Sequence, residues 1–398
     1  MVDTGMLSTR IIKDAHESYK RFVELEGTHY SDKIGKRINE NYSKRGITAI
    51  FGYVVEGPND KLIHILIMRV NFRILSEGSG VMVGSADQVP LIEKNFDAVM
   101  AEIGLPSFDN WSVLRLDYCY NIYTPDVDIY LKLLLKGQIP RFMKERYLIT
   151  RKRQGQEPGS LYLIPGIDRR ETRQKENVGS RNINFYDKQL QLSRTNARPE
   201  LVASADNVLR LEVQTFKRRL KAIKDKYKLP SMSPRHFLND EIAVYEIRRA
   251  LKDITRSEAD YMKKSTAVKL IQARPRLSQE SKSLALELIN EVMKHRQWSL
   301  AKAKQSMGKN KYNRALDILG LCGVNPICIS DKECSPSARN PINGLKDNRL
   351  QSLFSLLDQA VEEEKSGTTD QDQGADQESV PEIDLQRELE EIFTTEEI

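Results

Sequence analysis

Three short runs of alternating apolar and polar residues hold the side chains best suited to chemistry. They are residues 114–121 (Leu-Arg-Leu-Asp-Tyr-Cys-Tyr-Asn), 182–188 (Asn-Ile-Asn-Phe-Tyr-Asp-Lys) and 209–214 (Leu-Arg-Leu-Glu-Val-Gln). Side chains of a strand point to opposite faces with period two, so each run presents one polar edge. The edges read Arg115/Asp117/Cys119/Asn121, Asn182/Asn184/Tyr186/Lys188 and Arg210/Glu212/Gln214. On one sheet they would gather two carboxylates, a tyrosine, a lysine and two arginines, an inventory suited to breaking a phosphodiester bond with a metal and a tyrosine nucleophile.

Asp117 and Glu212 stand in mid-strand with apolar neighbours on both sides, which makes them the candidate ligands of Mg²⁺ or Mn²⁺, ions that take hard oxygen donors and leave positions open for phosphate. The competing reading is structural: Arg115 and Arg210, each two residues before an acid on the same face, make cross-strand ion pairs. Tyr186 is the candidate nucleophile and Lys188 the cation that would favour its phenolate, since a phenol titrates near ~10. Tyr162, on a less polar strand, is the reserve nucleophile.

The elements that must position these groups follow from periodicity and punctuation. Residues 48–56 and 61–75 read as strands around a turn at 57–60, and 91–103 as an amphipathic helix. A second unit runs through a strand at 111–123, a helix at 125–136 with Thr124 as N-cap and Pro125 at N1, and strands at 159–164, 181–188 and 208–215. Strands mixed with one helix per unit predict an α+β fold with a central antiparallel sheet and flanking helices. The first ~45 residues, with a helix at 11–26, read as an N-terminal extension.

After Phe216 the pattern turns helical. A second, all-helical C-terminal domain is expected over 229–360, in which 299–305 and 311–319 flank a short Gly-containing turn in the manner of a helix-turn-helix. Residues 361–398 are acidic and low in complexity, the composition of a disordered tail.

Net charge is +6 over 398 residues, but it is unevenly spread. From 358 to 398 fifteen acidic residues face only Lys365 and Arg387, so the tail carries −13 and the remainder +19. Such an excess implies a polyanionic partner, DNA first among them, with Arg115, Arg151, Lys152, Arg153, Arg181, Arg210, Lys217, Arg218 and Arg219 as candidate contacts. No apolar run approaches the ~20 residues of a membrane span, residues 1–19 lack a signal-peptide core, and four cysteines are too few for a disulfide scaffold. A cytoplasmic protein without a membrane partner is the expectation.

Arg115-Leu-Asp-Tyr, Gly159-Ser-Leu-Tyr-Leu, Asn184-Phe-Tyr-Asp-Lys188 and Leu209-Arg-Leu-Glu-Val-Gln214, in this order, resemble segments of phage and plasmid rolling-circle replication initiators, the Rep_trans plasmid initiators and filamentous-phage nicking proteins in particular. The resemblance spans residues 51–228 and implies a Rep-like nicking domain over 46–228. It implies that Tyr186 attacks one strand at a double-stranded origin, leaving a 5′-phosphotyrosine on the single strand and a 3′-OH for a host polymerase, with Asp117 and Glu212 at the metal. No Walker sequence is present, so strand separation would fall to a host helicase. Two departures stand out: His16, His29, His64, His236 and His295 form no His-hydrophobe-His motif, and Gln189 and Gln191 stand where related sequences often carry Glu. A relaxase serving conjugative transfer would need the same nick, and a DNA-binding regulator that keeps the fold without catalysis is the rival from another class.

Overall fold

The computed structural model describes residues 2–11, 37–38, 42, 44–56, 62–77, 86–140, 143–146, 160–165, 180–194 and 197–345. The predicted helix at 11–26, the turn at 57–60, the basic run Arg151, Lys152 and Arg153, and the acidic tail lie outside them.

Among the described residues nine strands form one antiparallel sheet: β1 (Val2–Ile11), β2 (Arg37–Ile38), β3 (Ile47–Glu56), β4 (Leu62–Asn71), β5 (Ser112–Tyr123), β6 (Met143–Arg146), β7 (Ser160–Pro165), β8 (Arg181–Asp187) and β9 (Val208–Phe216). Their spatial order is β2-β3-β4-β1-β5-β9-β8-β7-β6. The two predicted strand units lie side by side, and β1 joins them by pairing with β4 on one edge and β5 on the other.

This position corrects the reading of residues 1–45 as an extension, because Val2–Ile11 is an interior strand. Register shifts against β5 between Val2 and Gly5 and between Met6 and Leu7 break the period-two alternation that would have announced it. Gly5 is required there: a Cβ would meet Phe72 Cε2 at 2.6 Å and Leu116 Cδ2 at 2.9 Å.

Helices cover the sheet. The first, α1 (Val89–Ile103), buries Ile92, Phe96, Val99, Met100 and Ile103, and Phe96 packs edge-on against Phe108 and Trp111. The second, α2 (Val127–Leu135), starts two residues later than predicted: Asp126 is its N-cap, and the Thr124 hydroxyl accepts the Asp126 amide in a turn before it. After β8 comes α3 (Lys188–Arg194), and β9 continues directly into α4 (Lys217–Tyr227). Beyond it α5 (Asp240–Thr255), N-capped by the Asn239 side chain, packs on β5 and β9.

Four longer helices follow, α6 (Lys264–Gln272), α7 (Gln279–Lys294), α8 (Ser299–Met307) and α9 (Lys309–Cys322), and pack on one another. Gly308, with φ +77°, makes the sharp turn between α8 and α9. This C-terminal region is not purely helical, because β10 (Tyr261–Met262) and β11 (Ser337–Ala338) form a two-stranded ribbon. Nor does the core break near 229: one apolar cluster runs from Leu7 and Leu211 through Ile247 to Ile318. Backbone bonds stitch the regions together, Gln138 N to Ile254 O at 2.8 Å and Leu300 N to Lys136 O at 3.0 Å. No helix among the described residues is long and apolar enough to cross a membrane.

Candidate functional site

The strand register sets the three polar edges side by side. Across β5, β9 and β8 the rows read Asp117–Gln214–Asn182, Cys119–Glu212–Asn184 and Asn121–Arg210–Tyr186. The other face of the same strands carries Leu116, Tyr118, Leu209, Leu211, Val213, Ile183 and Phe185, all in the main core. Glu212 therefore lies at the centre of a diagonal, with Asp117 and Tyr186 each about 7–8 Å away between backbones. Asp117 and Tyr186 do not meet directly, being two strands and two rows apart.

Little of this face reaches solvent. Glu212 is the one partly exposed side chain of β9, and Asn184, Tyr186 and Asp187 are those of β8; positions 113–122 of β5 are all buried. The opening is thus the patch Glu212–Asn184–Tyr186. Asp187 ends β8 by turning its carboxylate onto the Leu190 amide at 2.9 Å, the N-cap that starts α3. Lys188 is consequently the first residue of a helix and not a strand-edge residue, 4% exposed, with Nζ donating to Gln191 Oε1 at 2.7 Å and lying 6.0 Å from the Tyr186 ring centroid.

Both arginines make ion pairs, but not as the structural reading had them: Arg115 pairs along its own strand and Arg210 reaches across to β1. Arg115 grips Asp117 through Nε to Oδ1 at 2.8 Å and Nη2 to Oδ2 at 2.9 Å, and the Thr4 hydroxyl donates to the same Oδ2. Arg210 donates to Asp3 Oδ2 and to Asn121 Oδ1, each at 3.0 Å. A second arginine, Arg73, approaches Asp3 at 3.4 Å. Arg115 and Arg210 are 2% and 0% exposed, so neither presents its guanidinium to an external phosphate. Arg219 is likewise spent on buried Glu246, and Arg181 pairs with Asp253. Of the described DNA contacts expected from sequence, Lys217 and Arg218 reach solvent. Asp3 and Thr4 were missed, since nothing in their local spacing shows that β1 enters the sheet.

Titration follows from this geometry. Burial, then repulsion from Asp117 and Asp3, pushes the Glu212 carboxyl up to about 7 against the pull of Arg115 and Gln214. Burial also pushes the Tyr186 phenol well above its usual value, with the Glu212 charge adding and the Arg210 charge opposing. Burial works to raise Asp3, but Arg73 and Arg210 overcome it and hold the carboxyl below its ordinary value.

The donor set changes the metal assignment. Asp117 is neutralised by Arg115 and is not a free ligand, and no group of three or more His, Cys, Asp or Glu side chains suited to a metal occurs among the described residues. Glu212 and the opposing Asn184 fit better: Asn184 Oδ1 is buried with no hydrogen-bond partner, and the Glu212 carboxylate is held up by like charge that a cation would relieve. One carboxylate and one amide oxygen suffice for an ion that keeps waters and shares the rest of its shell with phosphate. No family model matches the chain, and no curated protein and no solved structure matches it.

Proposed function

We propose that this chain nicks and rejoins one DNA strand through Tyr186, as a replication initiator of the rolling-circle kind with a Rep-like fold. The observation that carries the reading is a half-buried patch on an otherwise closed polar face, where a tyrosine and a carboxyl pushed up to about 7 adjoin an amide whose oxygen is buried without a partner.

The Tyr186 oxygen attacks the phosphorus of a backbone linkage. The bond to the 3′-oxygen breaks, the phenolic proton passes to water, and the departing 3′-oxygen takes a proton from water. The product is a 5′-phosphotyrosine and a free 3′-OH, and attack by a 3′-OH on the same phosphorus reverses it. The fixed Arg210 charge, opposite Tyr186 in the register, favours the developing phenolate. Mg²⁺ or Mn²⁺ held by Glu212 and Asn184 would supply positive charge to the phosphate oxygens. Lys188, buried beside the ring, acts on the same phenol.

The test is incubation with supercoiled DNA carrying the origin of the element that encodes the chain, with Mg²⁺ or Mn²⁺. A covalent protein–DNA adduct that disappears in Tyr186→Phe is the expected result. Nicking that persists in that variant moves the nucleophile elsewhere, Tyr162 first, which stands opposite Asn184 in the β7–β8 register. The same assay bears on the rival of a non-catalytic DNA-binding regulator, favoured by the Arg115–Asp117 and Arg210–Asp3 pairs that close most of the face. That reading requires wild type to form no adduct.

A further inference from the structure

The face of the sheet opposite Tyr186 carries a second feature. Helix α4 lies there, because its Leu220 and Ile223 join the core containing Leu209, Leu211 and Val213. Arg219 turns inward to Glu246, which leaves Lys217, Arg218, Lys221, Lys224, Lys226 and Lys228 around the outer surface and Asp225 as the one acid of the helix. At 100° per residue Lys217, Lys221, Lys224 and the C-cap Lys228 fall in a single stripe, at positions i, i+4, i+7 and i+11.

Helix stability does not call for this arrangement. The first turn of a helix favours acids, as in α5 with Asp240 and Glu241 and in α7 with Glu280. In α4 that turn holds no acid, the N-cap Phe216 makes no side-chain bond, and Lys217 and Arg218 oppose the dipole. The other end is fixed by aromatic rings: Lys226 Nζ lies 3.0 Å from the Tyr245 ring centroid and 4.9 Å from that of Tyr227, and the two rings stand edge-to-face at 6.3 Å. Tyr245 is exposed on α5, so the ring holds a cation at the surface instead of filling the core. The Glu241 charge on that helix acts on Tyr227.

We propose that the stripe Lys217, Lys221, Lys224 and Lys228 of α4 binds the phosphodiester backbone of DNA, as a contact separate from the opening at Tyr186. The inference rests on the nucleic-acid partner of the proposed function. It adds that DNA is anchored on one face of the sheet while a strand is cut on the other. A lysine stripe with a spacing of about 4.5–6 Å along the helix axis follows a charged backbone without reading bases.

The experiment neutralises the stripe in the full chain, with Lys221→Gln, Lys224→Gln and Lys228→Gln combined, and measures binding to a 30-base-pair duplex and to a 30-nucleotide single strand across a salt series. Affinity should fall about tenfold or more at low salt, and the slope of log affinity against log salt should become shallower by roughly two to three for duplex. Loss on the duplex, on the strand or on both supports the contact and tells which form it takes. Unchanged affinity and slope on both overturn it, as does an equal loss when Lys269, Lys302 and Lys304 are neutralised instead, because net charge would then be the whole effect. The variant keeps Tyr186, so its covalent adduct at saturating DNA still reports on the nick, while Tyr186→Phe keeps the stripe and must bind as wild type does.

Discussion

Asp3 and Arg210 are 207 positions apart in sequence and joined by a 3.0 Å hydrogen bond inside the sheet. The pair ties β1, the first strand of the chain, to β9, which carries Glu212. It also fixes the guanidinium opposite Tyr186, with Asn121 holding the same arginine from β5. Asp3→Ala would strand Arg210 and Arg73 in the interior without their counter-ion. The expected loss is about 3 kcal/mol of folding stability, read as a lowered midpoint in urea. A change under ~0.5 kcal/mol would show that the pair does not hold the strands together.

The same pair sets an acid limit. The folded-state pKa of Asp3 lies below its ordinary value of 3.8, so its contribution is fully present above that value and is lost as pH falls through the lower, folded one. Stability of wild type should therefore drop more steeply below pH ~4 than that of Asp3→Asn, a comparison made by denaturation at several acid pH values.

Glu212 works in the opposite direction. Its folded pKa, about 7, lies above the ordinary 4.5, so its protonated form favours the fold; that contribution is complete below ~4.5 and lost as pH rises through 7. Glu212→Gln should flatten the decline in stability between pH 4.5 and 7 and leave the variant more stable at pH 8, by on the order of 2 kcal/mol. In the adduct assay the same variant should lose most activity at every pH. Full activity would remove Glu212 from the reactive site.

Gly5 tests the placement of β1. With Phe72 and Leu116 less than 3 Å from any Cβ, Gly5→Ala must displace one of them or the strand. A loss of roughly 1–3 kcal/mol is expected in chemical denaturation, and a neutral substitution would mean that β1 is not wedged there.

The acidic C-terminal residues repel phosphate. Deletion of 365–398 removes mostly negative charge and should tighten non-specific DNA binding at low salt, with the difference shrinking as salt screens it. Equal affinity at 50 mM salt would argue against an electrostatic role for these residues.

Alternation within 114–121, 182–188 and 209–214 was enough to assign each polar edge to one face, because side chains of a strand must alternate whatever their partners. The end of β8 was not read: the strand was expected to run through Lys188, and the Asp187 carboxylate instead caps the Leu190 amide and starts α3. Which strands are neighbours is a different kind of fact. Pairing is decided by long-range backbone bonds, so no spacing in the chain revealed that β1 lies between β4 and β5, that Arg210 turns to Asp3 instead of Glu212, or that Asn184 faces Glu212. Bulges in β1 erased its periodicity, and burial of the arginines depends on what covers them. Residue types and faces were set by the sequence alone. The partners of each charge, and with them the difference between a structural ion pair and an open reactive patch, were decided only by the tertiary structure, because electrostatic partnership depends on distance in space and on exclusion of water.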